Sequence, residues 1–369
     1  MYLRLVCTLI LVATLSGCSS IKPSSVVNPN TKRVYNGTAS VGDFLNITID
    51  PGTSTLSYVN FSNGTGGTVP YTITGNGAYT LNDPTGNLVS AYEVPGYALL
   101  IQAAKAGPNK DTPALITAVE SGPISLATFS GNSYNYMQFR TAAGGLEVGS
   151  VTISATTGQN SSYWPYGALM QNSTPFNTGT LDFSQAQLDP SGTYLKIPDG
   201  GGVFDYIFGT ASGFFMVDTP NGAIIGLKKA PTAALNAANA GTYKGMFYQK
   251  INASTGQGNF ENGTPSMNQT TVAVTASGGI TITDTNGSTR MQGTLIPVSS
   301  ASYLYDGTSS ELRDPCNGLF TFRVTTGNAQ QDVFVTFVGN AVVFSAFEAS
   351  TPWANGRSTY NYMYGVALD

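Results

Sequence analysis

Histidine is absent from all 369 residues, and that absence governs what chemistry the remaining side chains can do. No Ser-His-Asp or Cys-His arrangement can be assembled, no imidazole can hold a metal, and no imidazole pH switch exists. Cys316, in Asp314-Pro315-Cys316-Asn317-Gly318, has no base to activate it and reads as a turn thiol. Carboxylates sit in turn contexts: Asp50-Pro51-Gly52, Asp83-Pro84, Asp189-Pro190, Asp199-Gly200, Asp218-Thr219-Pro220 and Asp306-Gly307. There they bond their own backbone, whereas a hydrolase of the glycosidase kind needs two carboxylates facing across a cleft. No EF-hand loop, phosphate-binding loop or dinucleotide fingerprint is present, so neither metal nor cofactor is expected. Two aromatic groups remain as candidate ligand contacts. Tyr163, Trp164 and Tyr166 fall in 157–180, the longest stretch without a strand pattern; Trp353, Tyr360 and Tyr362 lie near the C-terminus. Flat aromatic faces stack on a sugar ring or an apolar ligand, but the same rings also plug a barrel end or wall a core.

Charge narrows the partners. The chain carries 16 Lys+Arg and 20 Asp+Glu, so only 10% of residues are charged, against about 25% in a typical soluble domain. Nucleic acid is excluded as a partner, because that affinity rests on neutralising phosphates with Lys and Arg. Ser, Thr, Asn and Gly hydrate the surface instead, which suits a neutral partner such as a glycan, an apolar ligand or an envelope protein.

The N-terminus carries the most specific motif. Leu5–Leu15 is an apolar run of signal-peptide length, too short for the roughly 20 residues of a membrane span. It ends in Leu15-Ser16-Gly17-Cys18, which resembles the lipobox of bacterial lipoproteins. The resemblance implies a signal peptide over 1–17, removed before Cys18, with Cys18 carrying a thioether-linked diacylglycerol and an acylated amine. The partner at that end is then the membrane, and Ser19 in place of Asp implies the outer membrane. Residues 18–33 read as a flexible tether. Cys7 leaves with the signal and Cys18 is lipidated, so no intramolecular disulfide is possible.

The elements that must position these residues are β throughout. Period-2 stretches such as 44–49, 151–154, 271–274 and 333–337 are rich in Val, Ile, Thr and Phe, and Asn-Gly recurs at Asn36, Asn63, Asn76, Asn221, Asn262, Asn286, Asn317 and Asn355. Such pairs favour tight hairpins between antiparallel strands. The alanine-rich 230–240 predicts one short helix or a linker. Comparing the chain with itself aligns Tyr134–Met137 with Tyr243–Met246, a strand–turn–strand unit at 46–52, 186–192 and 272–278, and a closing hairpin opening at Gly96, Gly213 and Gly339. Three modules follow, 34–122, 123–230 and 231–369, each an antiparallel meander closing as a small barrel or sandwich. Pairing of the first and last strand in each would remove the sheet edges. In outline the plan resembles lipocalin-like barrels, without a diagnostic motif.

These observations point to a lipid-anchored, non-enzymatic protein of the bacterial cell envelope that displays a surface or binds a neutral partner. One alternative is a carrier whose barrel encloses a small apolar ligand, for which an empty lumen of several hundred Å3 is the test. The other is a carboxylate-dependent hydrolase.

Overall fold

The computed structural model describes residues 30–106, 112–140, 146–165, 179–252, 259–298, 304–305, 308–309, 317–326, 329–348 and 362–369. They form three antiparallel sheets. The first is a closed eight-stranded barrel of β1 (Arg33–Ala39), β2 (Asp43–Asp50), β3 (Thr55–Asn60), β4 (Thr65–Gly75), β5 (Ala78–Leu81), β6 (Leu88–Val94), β7 (Ala98–Ala106) and β8 (Thr112–Glu120). A single helical turn, Leu126–Phe129, leads to the second sheet. It comprises β9 (Ser133–Arg140), β10 (Leu146–Ile153), β11 (Thr157–Pro165), β12 (Gly179–Asp182), β13 (Gln187–Leu188), β14 (Leu195–Gly200), β15 (Val203–Gly209), β16 (Phe214–Thr219) and β17 (Gly222–Lys228). The third holds β18 (Gly241–Asn252), β19 (Asn259–Val274), β20 (Gly279–Asp284), β21 (Thr289–Thr294), β22 (Ile296–Pro297), β25 (Leu319–Thr326), β26 (Ala329–Val338), β27 (Ala341–Glu348) and β28 (Tyr362–Leu368). A separate two-stranded ribbon joins β23 (Leu304–Tyr305) to β24 (Thr308–Ser309).

All three sheets are meanders whose first and last strands pair: β1 with β8, β9 with β17, β18 with β28. The second and third are open only between β12 and β13 and between β21 and β22. Closure thus removes the edges of the first sheet alone; the second and third pair first strand with last as expected but keep edge strands, β12 and β13 in one and β21 and β22 in the other. Asn-Gly supplies turns with left-handed glycines at Gly64, Gly77, Gly287 and Gly318, whereas Asn36-Gly37 lies inside β1 and Asn262-Gly263 inside β19. The alanine-rich segment is a linker with one 3-10 turn at Ala237–Asn239.

The pairing register repeats. Ala98 faces Val119 and Leu100 faces Thr117; Phe214 faces Leu227 and Met216 faces Ile225; Ala341 faces Leu368 and Val343 faces Val366. Across the closing seam Val119, Leu227 and Leu368 in turn face Asn36, Asn135 and Lys244. This register corrects two alignments. Phe214, not Phe215, matches Ala98 and Ala341, and a one-residue slip reverses every side chain between the two faces. The 186–192 segment is the β13–β14 turn, whereas 46–52 and 272–278 are the turns after β2 and β19. Asp189 bonds the Ser191 amide (3.0 Å) just as Asp50 bonds that of Gly52 (3.0 Å), so the segments share turn chemistry without sharing a place in the fold.

Alternation along the closing strands serves two cores. Leu99, Ile101 and Ala118 point into the barrel with Tyr35, Ile47, Leu56 and Tyr79. Ala98, Leu100 and Val119 point outward into a core shared by all three sheets, with Met137, Phe139, Phe214, Met216, Leu227, Met246, Tyr248, Val343, Tyr364 and Leu368. The sheets meet in a head-to-tail cycle: β1 and β2 lie against β16 and β17, β9 against β27, and β18 and β19 against β7 and β8. The three closing turns converge as well, Tyr97 packing edge-on to Phe214 (5.4 Å) and donating its hydroxyl to the Val338 carbonyl (2.7 Å).

Candidate functional site

Three clusters of titratable groups stand out among the described residues, and one of them lines a cavity of several hundred Å3. Inside the barrel, Arg33 forks onto Glu93, Nε to Oε1 at 2.6 Å and Nη2 to Oε2 at 2.8 Å. Tyr35 donates to Oε1 at 2.6 Å, and Tyr79 donates to Oε2. Burial pulls the guanidinium down, and the hydrogen bonds and charge of Glu93 more than reverse this, leaving it above its ordinary value. Burial, then the Glu93 charge, pushes both tyrosines up. Every lone pair of Glu93 facing this cluster is engaged, so the cluster closes the barrel end and offers nothing to a ligand. The rest of the barrel is filled by large side chains, leaving a recess of about 70 Å3.

The second place is the contact between the barrel and the second sheet. Asp218 of β16 is buried and accepts the Thr38 hydroxyl of β1 at 2.5 Å. Burial holds its carboxyl well above the usual range, reinforced by the charges of Asp43 and Asp205. Its Asp-Thr-Pro context reads as a turn, but Asp218 serves an interface instead.

The third place is the lumen of the second sheet, a cavity of about 510 Å3. In the third sheet, by contrast, Tyr243, Phe247, Phe320, Phe322, Phe337 and Phe344 crowd the core. Val151, Phe183, Ile207, Phe215 and Ile224 supply apolar walls, and Asp182, Asp199 and Asp205 supply the polar groups. Asp205 Oδ1 is buried and meets no hydrogen-bond partner among the described residues. Burial, then the charge of Asp199, pushes this carboxyl up to about 6. Asp182 behaves oppositely: hydrogen bonds from Ser184, whose amide donates to Oδ1 at 2.8 Å, hold it below its usual value.

Nothing in the sequence marked Asp205, which sits mid-strand beside Phe204 and Tyr206; a carboxylate flanked by aromatic residues in an alternating strand is the available signal. Of the expected contacts, Tyr163 and Trp164 lie in β11, opposite Gly149 and Val148. The expected loop over 157–180 is thus overturned for 157–165 and 179–180, because ladder bonds among β10, β11 and β12 need no apolar alternation, and 166–178 lie outside the described residues. Tyr362 opens β28, and its neighbour Tyr364 is buried in the shared core, its ring 5.3 Å from Phe139. Tyr166, Trp353, Tyr360, Cys316 and Cys18 lie outside the described residues. Tyr136 of β9 lines the lumen. No group of three or more Asp, Glu, Cys or His side chains suited to a metal occurs among the described residues.

No family model and no curated protein matches the chain. Among solved structures, it is similar to a transferrin binding protein B double mutant from Haemophilus parasuis, at 9% identity over 91% of this chain and 76% of that one, with a TM-score of 0.27. The isotype 1 transferrin binding protein B from serogroup B Neisseria meningitidis gives 13% identity over 92% and 77%, with a TM-score of 0.23. A protein of unknown function from Nostoc punctiforme gives 9% identity over 67% and 100%, with a TM-score of 0.24.

Proposed function

We propose that this chain is a lipid-anchored, non-enzymatic binding protein of the bacterial cell envelope, attached at Cys18 and taking a small apolar-bodied ligand into the lumen of its second sheet. In this reading 1–17 is a signal peptide, 18–33 a tether, and 34–122, 123–230 and 231–369 are the modules. The carrying observation is the cavity of about 510 Å3, within the 300–1,000 Å3 range of small-molecule sites. Asp205 Oδ1 favours a ligand that presents a hydrogen-bond donor alongside its apolar body. A hydrolase would draw on two of Asp182, Asp199 and Asp205, of which Asp182 Oδ1 is committed to the Ser184 turn.

The experiment is titration with the neutral dye N-phenyl-1-naphthylamine, followed by fluorescence. Saturable binding near one equivalent is expected. Ile224→Trp, which fills the lumen, should weaken it by at least about tenfold while the circular dichroism spectrum is kept. A dye signal that does not saturate, or that survives Ile224→Trp undiminished, removes the lumen as the site.

A further inference from the structure

The three joints between sheets use matching positions, and the third uses different residues. At the first, Asn36 of β1 donates from Nδ2 to the Thr193 carbonyl at 3.0 Å. At the second, Asn135 of β9 donates to the Asn317 carbonyl at 2.8 Å. Thr193 and Asn317 each stand two residues ahead of the fourth strand from their sheet's end, β14 and β25; the matching residue in the barrel is Asn76, two ahead of β5. At the third joint Lys244 stands where the two asparagines stand. Lys244 and Asn76 are both exposed and line a cleft of about 370 Å3 between them.

The filling side chains are replaced as well. Phe44 faces Thr38, Val148 faces Met137, and Gln269 faces Met246, so these three residues are counterparts. Phe44 stacks on Phe61 (5.7 Å) and Tyr206 (4.4 Å) and lies 5.2 Å from Phe208, sealing the first joint. Val148 is wholly buried. Gln269 is exposed; beside it Thr285 takes the place of Phe61, and across the cleft half-buried Tyr92 takes that of Phe208. The charge is thin too. Asp284 at the cleft edge accepts the Asn286 and Ser288 amides at 3.0 Å and pairs with Arg290 at 2.9 Å, so its carboxylate is spent on its own turn.

We propose that this third joint is a saccharide-binding cleft. Sugars need many donors and acceptors from uncharged side chains, together with an apolar face for the ring's C–H groups. Gln269, Thr271, Thr285 and Asn76 supply the first, Lys244 adds a donor, and the half-buried Tyr92 supplies the second. The site is independent of the lumen.

The test is a printed array of mono- to tetrasaccharides probed with the detergent-solubilised full chain, then calorimetric titration of the best binder. The closed-joint variant Lys244→Asn/Gln269→Phe restores the residue types of the first joint. It is expected to lose at least about tenfold in saccharide affinity, keep its thermal midpoint, and bind the naphthylamine dye as before. The exposed Gln269→Ala serves as a second variant, with the same loss expected, should the double change perturb folding. The proposal is overturned if no saccharide binds saturably, or if a folded variant binds as tightly as the parent.

Discussion

Asp218 shows how far a single residue's role is set by a partner distant in sequence. Its one hydrogen bond of note comes from Thr38, 180 positions away, across the joint between the barrel and the second sheet. Asp-Thr-Pro is turn chemistry read locally, and burial by a distant strand leaves no local trace, so this role was not legible in the sequence. Asp50, Asp83 and Asp189 do cap their turns, because that chemistry is complete within a few residues. The raised carboxyl of Asp218 makes a pH prediction. In the folded chain it binds its proton more tightly than in the unfolded chain, so its stabilising share is fully present below about pH 4 and is lost as pH rises toward the folded value. Asp218→Asn, neutral and near-isosteric, should match the parent in urea at pH 4 and exceed it at pH 8 by on the order of 1 kcal/mol. An equal difference at both pH values would refute the assignment.

Strands and turns were legible because period-2 alternation and Asn-Gly pairs are local signals. Register was not, since it is settled by which face meets which neighbour. The opening-strand alignment of Tyr134–Met137 with Tyr243–Met246 marks counterparts, Tyr134 and Tyr243 pointing into their own sheets and Met137 and Met246 into the shared core. Tyr35-Asn36-Gly37 of β1 takes the same place in the barrel, a third copy hidden by its brevity. Close approach at these seams explains two of the glycines. A Cβ on Gly245 would lie 2.0 Å from the Val366 carbonyl oxygen and 2.4 Å from Ala367 Cα; one on Gly37 would lie 2.7 Å from Ala118 Cβ. Gly245→Ala should therefore force β18 from β28 and cost about 1–3 kcal/mol in urea unfolding, with faster hydrogen exchange along β28 than along β8. Unchanged stability would show that the seam yields without penalty.

For the whole molecule, the all-β class and the closing of first onto last strand were legible, and the shared core was not, because residues on a barrel's outward face are expected to meet solvent. That core consumes the apolar residues that a free barrel would have to make polar, which fits a chain of 41% hydrophobic but only 10% charged residues. The proposed anchor belongs to this scale. Replacing Cys18 by Ser should abolish palmitate incorporation and release the mature protein from the membrane fraction. Mature Cys18→Ser protein that still pellets with membranes would sink the anchor.

The head-to-tail cycle has one more consequence. Each sheet offers its opening strands to the next and its closing strands to the one before, and the third returns to the first. That is a heterologous contact whose rotation closes after three steps, the arrangement of a ring-shaped homotrimer whose subunits have been fused into one polypeptide. A true trimer must carry any change at all three interfaces at once. Fusion lifts that constraint, so one interface is free to trade its aromatic seal for amides and hydroxyls while the other two hold the ring together.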